Sequence, residues 1–441
     1  MPLADSGIVA PAKVPNSHSL GQSFALAARV VARVLDGASS TEALTETRGR
    51  SANLRAAAHD LSFNALRAYG VVDAVAEKLL DRPATDSLLR GLIYVALAEL
   101  VAQSEDARRG VHAIVHQAVE AAALLGLARA KGLVNAVMRA FLRDSRSLLA
   151  GAMSVETGRW NHPGWWIERL KRAYPDSWEA ILSASNAHPP MCLRTNVRRQ
   201  SAEEYISRLA DSGLHGKLVG TQAILLQTPC RVDALPGFAD GDVSVQDAGA
   251  QLAAQLLDLR PGLRVLDACA APGGKTAHIL EIADCDLVAM DISPKRIRRV
   301  GENLERLGLK ADVRTGDAGK AAEIFPASSF DRVLADVPCT ASGVARRHPD
   351  MRWLRREGDV ESFARMQAKI LDALWQVLSP DGKLLYATCS VFPEENGVQV
   401  RGFLRRHQDA ELLPAQVGDE GQILPTLECD GFYYALIHKR P

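Results

Sequence analysis

The sequence contains no run of eighteen apolar residues, so it offers no membrane-spanning helix and no membrane partner is expected. It has no Cys-x-x-Cys pair, and its seven cysteines are an odd number, which argues against both a disulfide framework and a zinc site. No metal is therefore expected, and the thiols are read as free in a reducing cytoplasm. Charge of one sign is missing too: 52 Lys and Arg balance 52 Asp and Glu, so the whole-chain field gives no reason to expect a polyanionic partner. Any nucleic-acid surface has to be local. Residues 1–23 mix Pro, Ser, Asp and Lys without an apolar stretch, which excludes a secretory signal and reads as a disordered extension.

A chain of 441 residues is long enough for two to three domains. Over 24–147 apolar residues recur at three and four spacing, as in Leu88, Leu89, Leu92, Ile93, Ala96 and Leu100, which predicts an all-α bundle. His112 and His116 lie one helical turn apart, but residue 113 is Ala rather than the Glu of a zinc-protease motif, so they read as surface or packing residues. Residues 148–187, with Trp160, Trp165, Trp166 and Trp178, read as a packed linker with a helix whose aromatics glue domains together. Residues 188–240 alternate in short segments around a helix at 202–212 and predict a small α+β subdomain.

From 241 to 441 short apolar runs alternate with helical segments: Arg264 to Asp267, Asp286 to Met290, Asp312 to Arg314, Arg332 to Ala335 and Lys383 to Ala387. This predicts a doubly wound, Rossmann-like α/β domain, in which ligands bind beyond the carboxyl ends of the strands. Two basic clusters stand out in it. Lys295, Arg296, Arg298 and Arg299 share one helix, and Arg346, Arg347, His348, Arg352, Trp353, Arg355 and Arg356 mix guanidinium groups with an aromatic, a composition suited to phosphate and base contacts.

After the strand ending at Asp267, the segment Ala268-Cys269-Ala270-Ala271-Pro272-Gly273-Gly274-Lys275-Thr276 is a small-residue turn that lets backbone N–H groups approach a ligand. The dinucleotide pattern Gly-x-Gly-x-x-Gly is absent, and the triphosphate loop fails because residue 269 is Cys where its first Gly belongs. Asp291 ends the second strand, where an acidic residue meets ribose hydroxyls, and Asp317 ends the third, where it can meet an adenine amino group. A ribose and an adenine without a phosphate cradle fit S-adenosylmethionine. Helix capping is the competing role for these aspartates.

Two more strand ends carry thiols: Asp336-Val337-Pro338-Cys339-Thr340 and Ala387-Thr388-Cys389-Ser390. Carbon 5 of cytosine attacks a methyl sulfonium only after a nucleophile has added at carbon 6, and a thiolate does this best. A carboxylate at N3 helps the addition, a task that suits Asp336, and expulsion of the thiolate gives a use for a second group. These residues alone do not rank Cys389 against Cys339.

The chain resembles the bacterial ribosomal RNA cytosine-5 methyltransferases of the Sun/Fmu (RsmB) family over nearly all of its length after Ser23. The specific segments are Asp267 to Thr276, Asp336 to Thr340 with Gly343 to Leu354, and Tyr386 to Asn396. Gly132 to Arg139 is similar to a signature of the family's NusB-like N-terminal domain, and the extra segment Met1 to Ser23 is a departure from the family. The resemblance implies a NusB-like RNA-binding bundle and an S-adenosylmethionine-dependent methyltransferase domain that modifies carbon 5 of a cytosine in 16S ribosomal RNA. It implies Cys389 as nucleophile and Cys339 as the residue assisting release. The cofactor contacts it implies are Cys269, Ala270, Ala271, Pro272, Gly273, Gly274, Lys275, Asp291, Asp317 and Asp336. The chain is expected to act as a cytoplasmic monomer on small-subunit ribosomal RNA. Alternative readings are the same chemistry on transfer RNA or DNA, or a non-catalytic NusB-like RNA-binding factor.

Overall fold

The computed structural model describes residues 19–82, 84–103, 108–415 and 417–441. Most of the expected N-terminal extension lies outside the described residues. Its last part does not: the helix Leu20–Leu35 begins before Phe24, capped by the Ser19 side chain accepting from the Gln22 N–H, and Gly21 and Ser23 are already buried.

Residues up to Asn161 form one compact unit and His162–Pro441 a second. The first is helical, with long helices Leu20–Leu35, Ala52–Arg67, Tyr69–Leu79, Ser87–Ala102, Arg108–Leu124 and Lys131–Met153. The helix Ser87–Ala102 is apolar almost all round, so it buries Leu92, Ile93, Val95, Ala96 and Leu97 on several faces and forms the centre of the bundle. It packs so close to the first helix that a Cβ at Gly91 would lie 2.6 Å from the Ala28 carbonyl oxygen. His112 and His116 are exposed.

The segment 148–187, expected as a linker, is mostly helical and is shared between the units: Glu156–Trp160 belongs to the first, Gly164–Ala173 and Trp178–Asn186 to the second. A small antiparallel sheet follows, with β1 (Cys192–Thr195), β2 (Gly216–Val219), β3 (Ala223–Leu226) and β4 (Val243–Val245) in the order β2-β3-β1-β4. Strand β4 carries this sheet past the expected limit at 240, because Val245 pairs with Leu193. The helix Ala202–Asp211 covers it, started by a capping box between Ser201 and Glu204.

The large sheet is built from β5 (Arg264–Asp267), β6 (Asp286–Asp291), β7 (Asp312–Thr315), β8 (Phe330–Asp336), β9 (Leu378–Thr388), β10 (Ala410–Leu412), β11 (Gln422–Ile423) and β12 (Phe432–Lys439). Its order is β10-β12-β9-β8-β5-β6-β7, with β11 paired to β12. Strands β5 to β9 are parallel, as the apolar runs predict. The edge is different: β12 runs antiparallel to β9, and β10 and β11 antiparallel to β12, so the sheet is mixed. Between β5 and β8 the winding reverses, and at such a switch point the loops leaving adjacent strands diverge and open a crevice. Helices on both faces close the core, one face around Phe330, Leu374, Tyr386 and Phe403, the other around Ile279, Val300, Leu304 and Leu385. Among the described residues no helix is long and apolar enough to cross a membrane.

Candidate active site

Cys339 and Cys389, fifty residues apart in sequence, face each other with their sulfur atoms 3.4 Å apart. Parallel pairing of β8 with β9 brings Asp336 opposite Ala387 and so delivers both loops to the same sheet edge. All seven cysteines are free thiols. Cys339 is 7% exposed, and its hydrogen bond with Cys389, followed by burial, holds its thiol well above the usual range. Cys389 is the more open of the two.

The two loops are fastened by a carboxylate that sequence reasoning did not single out. Glu395 is 0% exposed and accepts hydrogen bonds from the Thr340 N–H at 2.9 Å, the Ser390 hydroxyl at 2.6 Å and the Gln367 amide at 3.1 Å, besides one from the Thr340 hydroxyl. Thr340 follows Cys339 and Ser390 follows Cys389, so one side chain sets the relative position of both thiols. Burial raises the Glu395 pKa, while its donors act against that rise. Gly343 adds a second tie, donating its N–H to the Cys389 carbonyl at 2.8 Å, where a Cβ would lie 2.3 Å from the Gly431 oxygen. Behind the loop, Trp166 meets the Phe392 ring edge-on at 5.2 Å, and Tyr174 donates its hydroxyl to the Val391 carbonyl. Of the four tryptophans expected to glue domains, Trp165 and Trp166 brace the segment after Cys389 through Phe392.

The small-residue turn lies beside this pair. Gly273 caps the helix Gly274–Ile282 with φ +100°, where a Cβ would sit 3.1 Å from the Val300 Cα, and no side chain caps the helix's first N–H groups. Ala270 and Ala271 are buried, and the Ala271–Pro272 peptide is cis. Lys275 pairs with Asp336 at 2.6 Å, joining the turn to the Cys339 loop. Burial opposes the Lys275 charge, but Asp336, together with Cys389 and Asp267, outweighs it and the ammonium is held above its usual range. Burial, then the surrounding carboxylates, pushes the Cys269 thiol up, so it stays protonated.

Asp291 is buried and accepts from the N–H groups of Ala271 and Ser293 at 3.2 and 2.9 Å, with Arg296 3.4 Å away. Asp317 stands at the end of β7 and accepts from the Gly319 N–H at 2.9 Å, which is the capping role weighed from the sequence. Asp267 is 1% exposed; one oxygen accepts from the Thr276 hydroxyl at 2.7 Å and the other has no hydrogen-bond partner among the described residues. Burial, reinforced by Asp336 and Asp291, pushes its pKa up to about 7.

This donor set fits S-adenosylmethionine: an unpartnered buried carboxylate oxygen can take an ammonium, and uncapped helix N–H groups can take a carboxylate. Four carboxylates against two cations suit a positively charged sulfonium. Asp267, which sequence reasoning noted only as a strand end, joins the set. Its signal was there in its position, three strands' acidic ends in register.

The expected RNA patch at 346–356 is largely internal. Arg346 is buried against Asp430, Arg347 pairs with Asp247 and Asp430, and Arg352 is buried against the Ser185 carbonyl and Asn186. These guanidinium groups have carboxylate and amide partners far away in sequence, which local composition does not reveal. Of the other cluster, Arg296 turns to Asp291 while Lys295, Arg298 and Arg299 remain exposed.

Three families match the chain in succession: the NusB family over residues 24–143, an RsmF/B-like ferredoxin-like domain over 162–233, and the 16S rRNA methyltransferase RsmB/F family over 254–438. The ribosomal RNA small subunit methyltransferase B of Vibrio cholerae serotype O1 is 44% identical over 392 residues, covering 86% of this chain and 88% of that protein. The crystal structure of PH0851 superimposes with a TM-score of 0.75 at 26% identity, covering 95% of this chain and 99% of that one. A methyltransferase homologue from Pyrococcus horikoshii covers 64% of this chain and 97% of its own, with a TM-score of 0.57 and 28% identity. Identity at the level of the Vibrio relative, sustained over most of both chains, is decisive, and the chain belongs to the RsmB/F family of 16S rRNA methyltransferases.

Proposed function

We propose that this chain methylates carbon 5 of a cytosine in 16S ribosomal RNA, acting as a cytoplasmic monomer, with Cys389 as nucleophile and Cys339 as the group that releases the product. The observation that carries this reading is the pair of thiols 3.4 Å apart at the ends of neighbouring parallel strands. S-adenosylmethionine is the cofactor; when bound it supplies an electrophilic methyl group. The turn Cys269 to Lys275, Asp267, Asp291 and Asp317 would hold it.

The Cys389 thiol loses its proton to solvent and its sulfur adds to carbon 6, forming a C–S bond and pushing an electron pair toward carbon 5, the carbon to be methylated. Asp336 spends one oxygen on Lys275, and its other oxygen, which makes no bond to the described residues, can carry a proton from solvent to the lone pair of N3. After methylation the carbon 5 proton leaves to solvent, its C–H electron pair re-forms the ring double bond and the C–S bond breaks with its pair going to sulfur. Cys339, kept protonated, stands within reach to donate a hydrogen bond to the departing Cys389 thiolate and so to ease its release. The cytosine has to leave its stack to reach this crevice, which is cheapest in a loop or at a helix end. The helical unit over 24–147 would grip the RNA around it.

The test is bisulfite sequencing of ribosomal and transfer RNA from cells lacking the gene, complemented with wild type or Cys389→Ala. Loss of one protected cytosine in 16S ribosomal RNA, restored by wild type only, is expected. A lost cytosine in transfer RNA would change the substrate, and no change at any position would turn the reading toward a non-catalytic RNA-binding factor.

A further inference from the structure

The helix-and-loop segment after Cys339 contains several arginines, and the structure separates them by what they touch. Arg346 and Arg347 are neutralised by Asp430 and Asp247. Lys275 is neutralised by Asp336, and Arg169, which braces the other thiol loop, by Glu361 and Glu394. Arg355 differs. Its Nε donates to the Thr340 carbonyl at 3.3 Å, one residue from Cys339, and its guanidinium lies over the Phe363 ring at 4.7 Å. It has no carboxylate partner among the described residues.

Both contacts orient the group without cancelling its charge. A carbonyl and an aromatic face hold the plane still, so little rotamer freedom remains to be lost on binding. With Nε occupied, the two terminal nitrogens, which make no hydrogen bond among the described residues, are left as an end-on pair of donors, the arrangement that meets two oxygens of a phosphate side by side. An uncompensated, half-buried and pre-oriented guanidinium is not a stabilising element; it is a charge waiting for an anion. The substrate of the proposed reaction carries a phosphate on either side of its cytosine.

We propose that Arg355 clamps a phosphate of the nucleotide whose cytosine enters the thiol site. This rests on the RNA reading above and assigns to one residue the part the whole basic cluster was expected to play. Clamped there, the nucleotide is tied to the Thr340 carbonyl and thus to the loop that carries Cys339.

The experiment measures steady-state methylation of 16S ribosomal RNA, and filter retention of the same RNA, by full-length wild type, Arg355→Gln and Arg355→Lys between 50 and 300 mM salt. Arg355→Gln should raise KM for RNA roughly tenfold, change kcat less than about twofold, and lower the slope of log affinity against log salt by about 1, the signature of one lost phosphate contact. Arg355→Lys should keep the wild-type slope and still raise KM, because the charge stays and the fork is lost. Calorimetric cofactor binding at the wild-type Kd reports an intact fold. An unchanged slope in Arg355→Gln overturns the proposal, including the case where kcat falls alone, which would mean that the side chain only shapes the Cys339 loop. If Arg355→Gln fails to fold, an unchanged KM in Arg355→Lys is the overturning result. Wild type that methylates no cytosine would overturn the proposed function instead, and the retention assay would still decide Arg355.

Discussion

At the scale of single residues, the chemistry depends on which groups are denied water. The Cys339 thiol stays protonated through its bond with Cys389 and its burial, so it is suited to donate a hydrogen bond that stabilises a leaving thiolate. Cys339→Ala should therefore let a covalent protein–RNA adduct accumulate, visible as a retarded band on a denaturing gel; normal turnover with no such band would remove Cys339 from the release step. Asp267 has the opposite task. Its pKa, raised to about 7 by burial, means that it binds a proton more tightly in the folded chain than in the unfolded one, so its contribution to stability is present at low pH and lost as pH rises from about 4 through 7. A cationic ligand reverses this preference by pairing with the ionised form. Cofactor affinity should rise from pH 6 to pH 8 in wild type more steeply than in Asp267→Asn, and calorimetry across that range that gives parallel curves would take Asp267 out of the site.

At the scale of elements, the sheet edge works because Glu395 ties two loops that have no covalent connection nearby. Removing its carboxylate in Glu395→Ala strands the Thr340 N–H and two hydroxyls away from water. A cost of about 2–4 kcal/mol follows from several buried donors losing their acceptor at once, and urea unfolding should show it as a lower midpoint with an unchanged slope. Activity should fall further than stability, since the thiols lose their common anchor. The parallel strands β5, β6, β8 and β9 were readable as short apolar runs because both their faces are largely buried, whereas β7 at the sheet edge is exposed along its length. Strand β12 was not singled out, although Phe432–Ile437 is an apolar run that directly follows Asp430-Gly431. The run shows no alternation, and nothing local in it distinguishes antiparallel pairing with β9 from the parallel pairing of the other strands.

At the scale of the whole molecule, the second unit is joined across its subdomains by charge pairs taken out of water. Arg194 in β1 and Glu281 in the helix after the cofactor turn are 0% and 1% exposed and meet at 2.6 Å, and Arg194 also reaches the Gly274 carbonyl at the start of that helix. The small sheet thus holds the helix that begins at the small-residue turn. Glu281→Ala leaves a buried guanidinium without its partner and should destabilise this unit by about 3–5 kcal/mol, a loss that thermal unfolding would register together with weaker cofactor binding. Undiminished cofactor affinity in a destabilised variant would separate the fold's cement from its function.

By itself the sequence determined the α/β alternation, the cofactor turn and the presence of two thiol loops, because these depend on nearest-neighbour features: small residues where backbone must approach a ligand, and apolar runs where a strand is covered on both sides. It also carried the family likeness that ranks Cys389 over Cys339. Tertiary structure alone decided that the sulfurs meet, that Glu395 fastens them, that Asp267 is sealed from water, and that Arg346 serves Asp430, 84 residues away, rather than RNA. Whether a charge is spent inside the fold or kept for a ligand depends on what lies opposite it in space, and a residue's neighbours along the chain do not record that.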